Sequence, residues 1–179
     1  MKPLVKSCVF TIAGIFAISA MADASEHGGQ QPVIRLTRKP TGILYSALPT
    51  IEIYRDGRVW IQRFDGSTSR KRIDAVMLSS LLRQLDKLGF YGITSSSVQA
   101  SMRQPPKITK TPDGREEVTT EGLVITDLTT TTITVRRHGR VHKVSCYGVE
   151  EFAEHYPRAT DLNILKNTIA QVYTAAGES

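Results

Sequence analysis

From Thr129 the chain reads TTTTITVRRHGRVHKVSCYGVEEFAEHY, two β-branched runs of alternating apolar and polar residues separated by His138-Gly139. Branched side chains pack well on a pleated surface and favour extended backbone. A two-residue turn at His138-Gly139 sets Arg137 opposite Arg140, Val135 opposite His142, Ile133 opposite Val144 and Thr131 opposite Cys146. Ile133, Val135, Val144 and Cys146 then share one face. A three-residue loop would group Ile133 and Val135 with Val141 and Lys143 and leave Val144 and Cys146 outside, so the apolar pattern selects the shorter turn. Thr129 to Val135 is uncharged and free of proline, the composition of an aggregation-prone strand. Arg136 and Arg137 close it as gatekeepers. Val149 to Tyr156 follows as a short helix ended by Pro157.

Upstream, Val33 to Arg38 alternates as a first strand with Ile34 and Leu36 inward, broken at Lys39-Pro40-Thr41-Gly42. Thr50 to Phe64 is a second hairpin. A three-residue Arg55-Asp56-Gly57 loop with Gly57 left-handed gathers Ile51, Ile53, Val59 and Ile61. Glu52, Tyr54 and Trp60 fall on the opposite face, as a second small core, a partner surface or a shielded edge. Gly66 to Arg72 reads as a polar connection ending in Arg70-Lys71-Arg72. Asp74 then caps a helix to Leu88, with Ile73 and Leu78 as a hydrophobic staple and Leu78, Leu81, Leu82, Leu85 and Leu88 as its apolar stripe. Gly89 is placed as the left-handed residue after the helix, with Phe90 folding back on Leu85.

Phe90 to Ile93 reads as a short strand or an extended connection. Residues 94–121, rich in Ser, Thr, Pro and Lys, read as a long loop, mobile or functional, with a short helix at Ser97 to Arg103. Thr160 is expected to cap a last helix, to Thr174, whose apolar face is Leu162, Leu165, Ile169 and Val172.

The N-terminus stands apart from this pattern. Lys2 and Lys6 precede an apolar run from Val9 to Met21, and both Ala20-Met21-Ala22 and Ala22-Asp23-Ala24 fit a small-x-small cleavage site. This predicts a secretory signal peptide over 1–24, a flexible linker over 25–31 and a single domain over 32–176. The apolar run is short of the roughly 20 residues needed to span a bilayer, which argues against an uncleaved anchor. Cys8 lies before the apolar run, not after it where a lipid-modified cysteine belongs. Cleavage after Ala24 removes Lys2, Lys6 and Asp23 from the formal +6, leaving 21 basic against 16 acidic residues and a charge of +5. It also leaves Cys146 as the only cysteine, expected to be buried and inert.

Thr129 to Tyr156 resembles a group of uncharacterised exported bacterial proteins, of the domain-of-unknown-function type. The resemblance extends over roughly 32–174, through the early strand, the Asp-Gly-Arg-Val of Asp56 to Val59, the leucine-rich helix ending near Phe90 and the Thr126-Asp127 pair. A related domain has cysteines in a Cys-Gly-x-Cys-Pro-like stretch near its first strand, whereas Pro40 to Pro49 here has none. The resemblance implies export and an α+β domain, and no reaction.

Hairpins joined to amphipathic helices predict an α+β fold: a mostly antiparallel sheet of four to six strands with helices packed on one face. No nucleophile elbow, zinc motif or phosphate loop is present. The four histidines, His27, His138, His142 and His155, show no metal spacing, so no catalytic residue, metal ligand or cofactor is assigned. Cys146 and His142 share a strand face but stand ~13 Å apart, too far for a nucleophile and its base.

Basic charge is the remaining lead. Arg136, Arg137, Arg140 and Lys143 crowd the tip of the central hairpin, as a solvated gatekeeper tip or as a site for an anion or acidic partner. The expected function is a non-enzymatic binding or interaction module, periplasmic or extracellular, with an acidic envelope protein or anionic wall polymer as partner. Nucleic acid and a stable membrane span are not expected. The alternative is an envelope hydrolase or other enzyme assembled across the fold from Asp127, His142, His155 and Cys146.

Overall fold

The computed structural model describes residues 30–40, 49–63, 65–103, 107–111, 115–119 and 128–178. The predicted signal segment, Cys8, His27, Thr126 and Asp127 lie outside them. The main sheet takes β1 (Ile34–Pro40), β2 (Thr50–Ile53), β3 (Arg58–Gln62), β4 (Thr68–Arg72), β7 (Thr129–Arg137) and β8 (Arg140–Tyr147) in the order β4-β3-β2-β1-β7-β8. Every neighbouring pair is antiparallel. A separate hairpin pairs β5 (Lys107–Lys110) with β6 (Glu116–Thr119). The helices are α1 (Ala75–Lys87), α2 (Ser95–Ser101), α3 (Val149–His155) and α4 (Thr160–Ala176). This is the α+β class expected from the sequence.

One sheet face carries Ile34, Leu36, Ile51, Ile53, Val59, Ile61, Ile133, Val135, Val144 and Cys146, all buried in one core with Leu78, Leu81 and Leu85 of α1 and Leu162, Leu165, Ile169 and Val172 of α4. The register follows the apolar alternation. His138 and Gly139, at φ 51° and 73°, form a two-residue turn that pairs Arg137 with Arg140, Val135 with His142 and Thr131 with Cys146. In the first hairpin Ile53 pairs with Val59, and Tyr54 N–H donates to Arg58 O at 2.8 Å around a three-residue loop. Gly57 there has φ +82°, and a Cβ would stand 2.1 Å from the Ile73 carbonyl oxygen. Ile73 N–H donates to Gly57 O at 2.9 Å, docking this loop onto the head of α1. Asp74 caps α1 by accepting from Met77 N–H.

The opposite sheet face is polar. Cross-strand pairing aligns Arg70, Trp60, Glu52, Arg35, Thr134 and Lys143 in one transverse row, flanked by Thr68, Gln62 and Thr50 on β4 to β2 and by Thr37, Thr132 and Ser145 on β1, β7 and β8. Glu52 is 5% exposed and Tyr54 1%. The Arg35 guanidinium lies 2.7 Å from the Glu52 carboxylate, and Tyr54 O–H donates to Glu52 at 2.6 Å. The Glu52 and Tyr54 positions are thus a small buried polar core.

Several expectations are corrected. Thr68–Arg72 is the edge strand β4 rather than a connection. An edge strand needs little apolar alternation, and its Arg and Lys discourage pairing with another chain. β1 runs through Pro40, because Pro at a strand end forfeits no ladder bond. Phe90–Gly92 is a 3-10 turn, drawn tight by Gly92 N–H donating to Gly89 O at 2.9 Å. The short helix expected at Ser97 to Arg103 is present as α2, starting two residues earlier from a Thr94/Ser97 capping box, but the described residues of 94–121 also include the β5–β6 hairpin, where the sequence predicts only loop. Thr160 is the first residue of α4, whose cap position is Ala159 with no side-chain bond.

Candidate functional site: the β7–β8 tip

Because β1 pairs with both β2 and β7, Ile34 lies beside Ile53 on one side and Val135 on the other. The β2–β3 and β7–β8 turns therefore project from the same end of the sheet, with the incoming chain Gln30 to Val33 between them. Two open clefts form there. One, of about 360 Å³, is lined by Gln30 to Val33, Arg55, Arg136 and the β7–β8 turn. The other, of about 620 Å³, lies on the helix side of the tip, between Tyr91 and Val135, Arg137, His138, Arg140, Val141 and His142.

Strand alternation divides the predicted cations. Arg137 and Arg140 are a cross-strand pair on the helix side, whereas Arg136 and Lys143 face the polar side. Arg136 is tied to the incoming chain, donating from Nη1 to Pro32 O at 3.2 Å. Lys143 is exposed and lines neither cleft. Arg55, which sequence reasoning did not single out, joins Arg136 and Arg140 through the sheet topology.

Counter-charge is sparse. Arg137 meets Asp86 at 3.7 Å with both side chains well exposed, a weak contact. Among the described residues no carboxylate pairs with Arg55, Arg136 or Arg140. Exposed Val141, 61% accessible, adds an apolar patch beside these charges.

Aromatic packing forms the floor of the larger cleft. The His142 ring stands edge-on to Phe90 at 4.9 Å and to Tyr91 at 5.8 Å. His142 Nε2 and the Tyr91 hydroxyl are both buried without a hydrogen-bond partner. Burial pushes the Tyr91 hydroxyl up from its ordinary pKa, and the nearby Arg137 guanidinium opposes the rise.

Of the residues considered for an enzyme, the described ones, His142, His155 and Cys146, do not converge. His142 and Cys146 lie on β8 with their side chains two cross-strand rows apart, and His155 is exposed on α3 against Tyr156. Cys146 is 3% exposed, and burial, reinforced by Glu150, pushes its thiol up to about 11. That is the inert thiol expected from its strand parity. Among the described residues no group of His, Cys, Asp and Glu is arranged to hold a metal ion, and no helix is long and apolar enough to cross a membrane. No protein-family model, curated protein or solved structure matches this chain, so the reading of the site rests on its own residues.

Proposed function

We propose that the protein is an exported, non-enzymatic binding module that holds an acidic protein partner at the β7–β8 tip. The observation that carries this reading is the convergence of Arg55, Arg136, Arg137 and Arg140 around two clefts with, among the described residues, a single weak carboxylate contact. Guanidinium groups left in this state repel one another, and an incoming carboxylate relieves that repulsion while accepting paired N–H bonds. The positive n-region, short apolar run and small-x-small sites of residues 1–24 support export. N-terminal sequencing of the mature protein, expected to begin after Ala22 or Ala24, tests that part.

Crosslinking in intact cells tests the rest. The wild type is compared with an Arg136→Ala/Arg137→Ala/Arg140→Ala variant and with an Arg83→Ala/Lys87→Ala/Arg158→Ala control that removes equal charge from other exposed positions. A specific acidic partner is expected with the wild type and the control, and not with the tip variant. Equal capture by all three overturns the assignment, and capture of an anionic wall polymer in place of a protein replaces the partner class.

A further inference from the structure

Buried polar atoms are almost always hydrogen-bonded, because an unsatisfied one costs about 1–3 kcal/mol. Two such atoms on different elements line the same cleft: His142 Nε2, which has no partner, and the Tyr91 hydroxyl, which has only the Arg137 guanidinium beside it, outside good hydrogen-bond geometry. Strand parity puts Arg137, Arg140 and His142 on the side of the hairpin facing Tyr91. Arg137 stands at this floor, beside the Tyr91 hydroxyl and with a weak contact to the exposed Asp86 carboxylate at 3.7 Å.

We infer that this cleft is a pocket for a phosphate group, in which Arg137 and Arg140 supply charge and Tyr91 and His142 supply the floor contacts. The inference rests on the reading of the tip as an anion-binding surface and names the chemistry of its deeper half. A guanidinium fork donates two bonds, and Arg140, the Tyr91 hydroxyl and an imidazole N–H can each add another. A carboxylate offers two oxygens to so many donors. A phosphomonoester offers three terminal oxygens and higher charge, and matches them better. Val135 and Val141 wall the cleft beside these groups, leaving room for a small organic carrier.

The test is a titration of the protein with inorganic phosphate, phosphoserine and acetate at matched ionic strength, following the imidazole NMR signals of His142. Variants are Tyr91→Phe, which keeps the ring against Phe90 and His142, and Arg140→Ala, at an exposed position. Phosphate is expected to move the His142 signals and acetate to bind more weakly. Each variant is expected to lose about tenfold in affinity, the worth of one hydrogen bond to a charged group. Tighter binding of phosphoserine than of inorganic phosphate identifies an organic carrier, and equal binding identifies free phosphate. Unmoved His142 signals, equal binding of acetate, or an unaffected Tyr91→Phe variant would each overturn the pocket. If Tyr91→Phe has no effect while the triple tip variant still loses its acidic partner, the pocket fails and the tip reading stands. If neither changes, both fail.

Discussion

Replacing Gly57 with Ala tests how the first hairpin is docked. The residue has φ +82°, and an added Cβ would lie 2.1 Å from the Ile73 carbonyl oxygen, a backbone atom that cannot rotate away. Left-handed backbone costs an L-residue about 1–2 kcal/mol. Relieving the overlap requires the Ile73 backbone to retreat by about an ångström, straining or breaking its 2.9 Å bond to Gly57 O. An unmade buried bond costs about 1–3 kcal/mol. Gly66 is the internal control, since its φ is +81° but nothing lies within 4 Å of its would-be Cβ. The stiffening of the unfolded chain by Ala is common to both and cancels. Gly57→Ala should therefore destabilise by about 2 kcal/mol more than Gly66→Ala, the difference being the contact with Ile73 alone. Urea unfolding of both variants at neutral pH, read from midpoint and slope, measures it. Equal losses would mean that the loop is not pressed against the head of α1, and that Arg55 is not held beside the β7–β8 tip.

Three further outcomes follow from buried groups. Tyr54→Phe removes the 2.6 Å bond to Glu52 and should cost about 1–3 kcal/mol by thermal or urea unfolding. Burial, with the Glu52 bond next in weight, raises the Tyr54 pKa to about 12. Its folded value exceeds the unfolded one, so its contribution is complete below pH 10 and lost as pH rises toward 12; Tyr54→Phe should show a smaller alkaline loss than the wild type, the remainder coming from other raised groups, Cys146 and Tyr91 among them. Cys146, with its pKa pushed from 9.0 to about 11, has a thiolate fraction near neutral pH about a hundredfold below an ordinary thiol, and should resist a thiol reagent until the protein is unfolded. Native labelling as fast as in urea would refute its burial and the β7–β8 register. The Arg38 side chain is 3% exposed and pairs with Glu150 of α3, with the Tyr173 ring 5.6 Å away. Glu150→Ala should cost about 2 kcal/mol by leaving that charge buried, whereas Arg38→Met in the same background should recover most of it.

The parts of the fold legible in the sequence are those where apolar residues choose between registers. Ile133, Val135, Val144 and Cys146 admit one turn length at His138-Gly139, and Ile51, Ile53, Val59 and Ile61 admit another at Arg55 to Gly57. The elements that escaped have no such stripe. β4 is polar throughout, and its signal was the Asp65-Gly66 turn, where Gly66 takes φ +81° and Gly66 N–H donates to Arg63 O at 3.1 Å. Among the described residues β5 and β6 pair with each other in a sheet of their own. At the site, the Arg137–Arg140 pairing was legible because it is local. The approach of Arg55 and of Tyr91 was not, since it depends on β1 joining two hairpins and on a 3-10 turn folding Phe90 and Tyr91 against His142. Strand parity also puts Lys143, with Arg136, on the opposite side of the hairpin from Arg137 and Arg140.

The central claim is that charge at the β7–β8 tip, rather than the net charge of the chain, recruits an acidic ligand. The most direct measurement is the affinity of an oligoglutamate peptide for the wild type, the tip triple variant and the Arg83/Lys87/Arg158 control across a range of salt concentrations. Three exposed charge contacts at about 0.5–1 kcal/mol each predict a loss of ten- to a hundredfold for the tip variant at low salt. Rising salt should shrink the gap as the charges are screened. The control should stay within about twofold of the wild type, since none of its three residues lines either cleft. Equal weakening in both triple variants would show attraction to net charge alone and contradict the account.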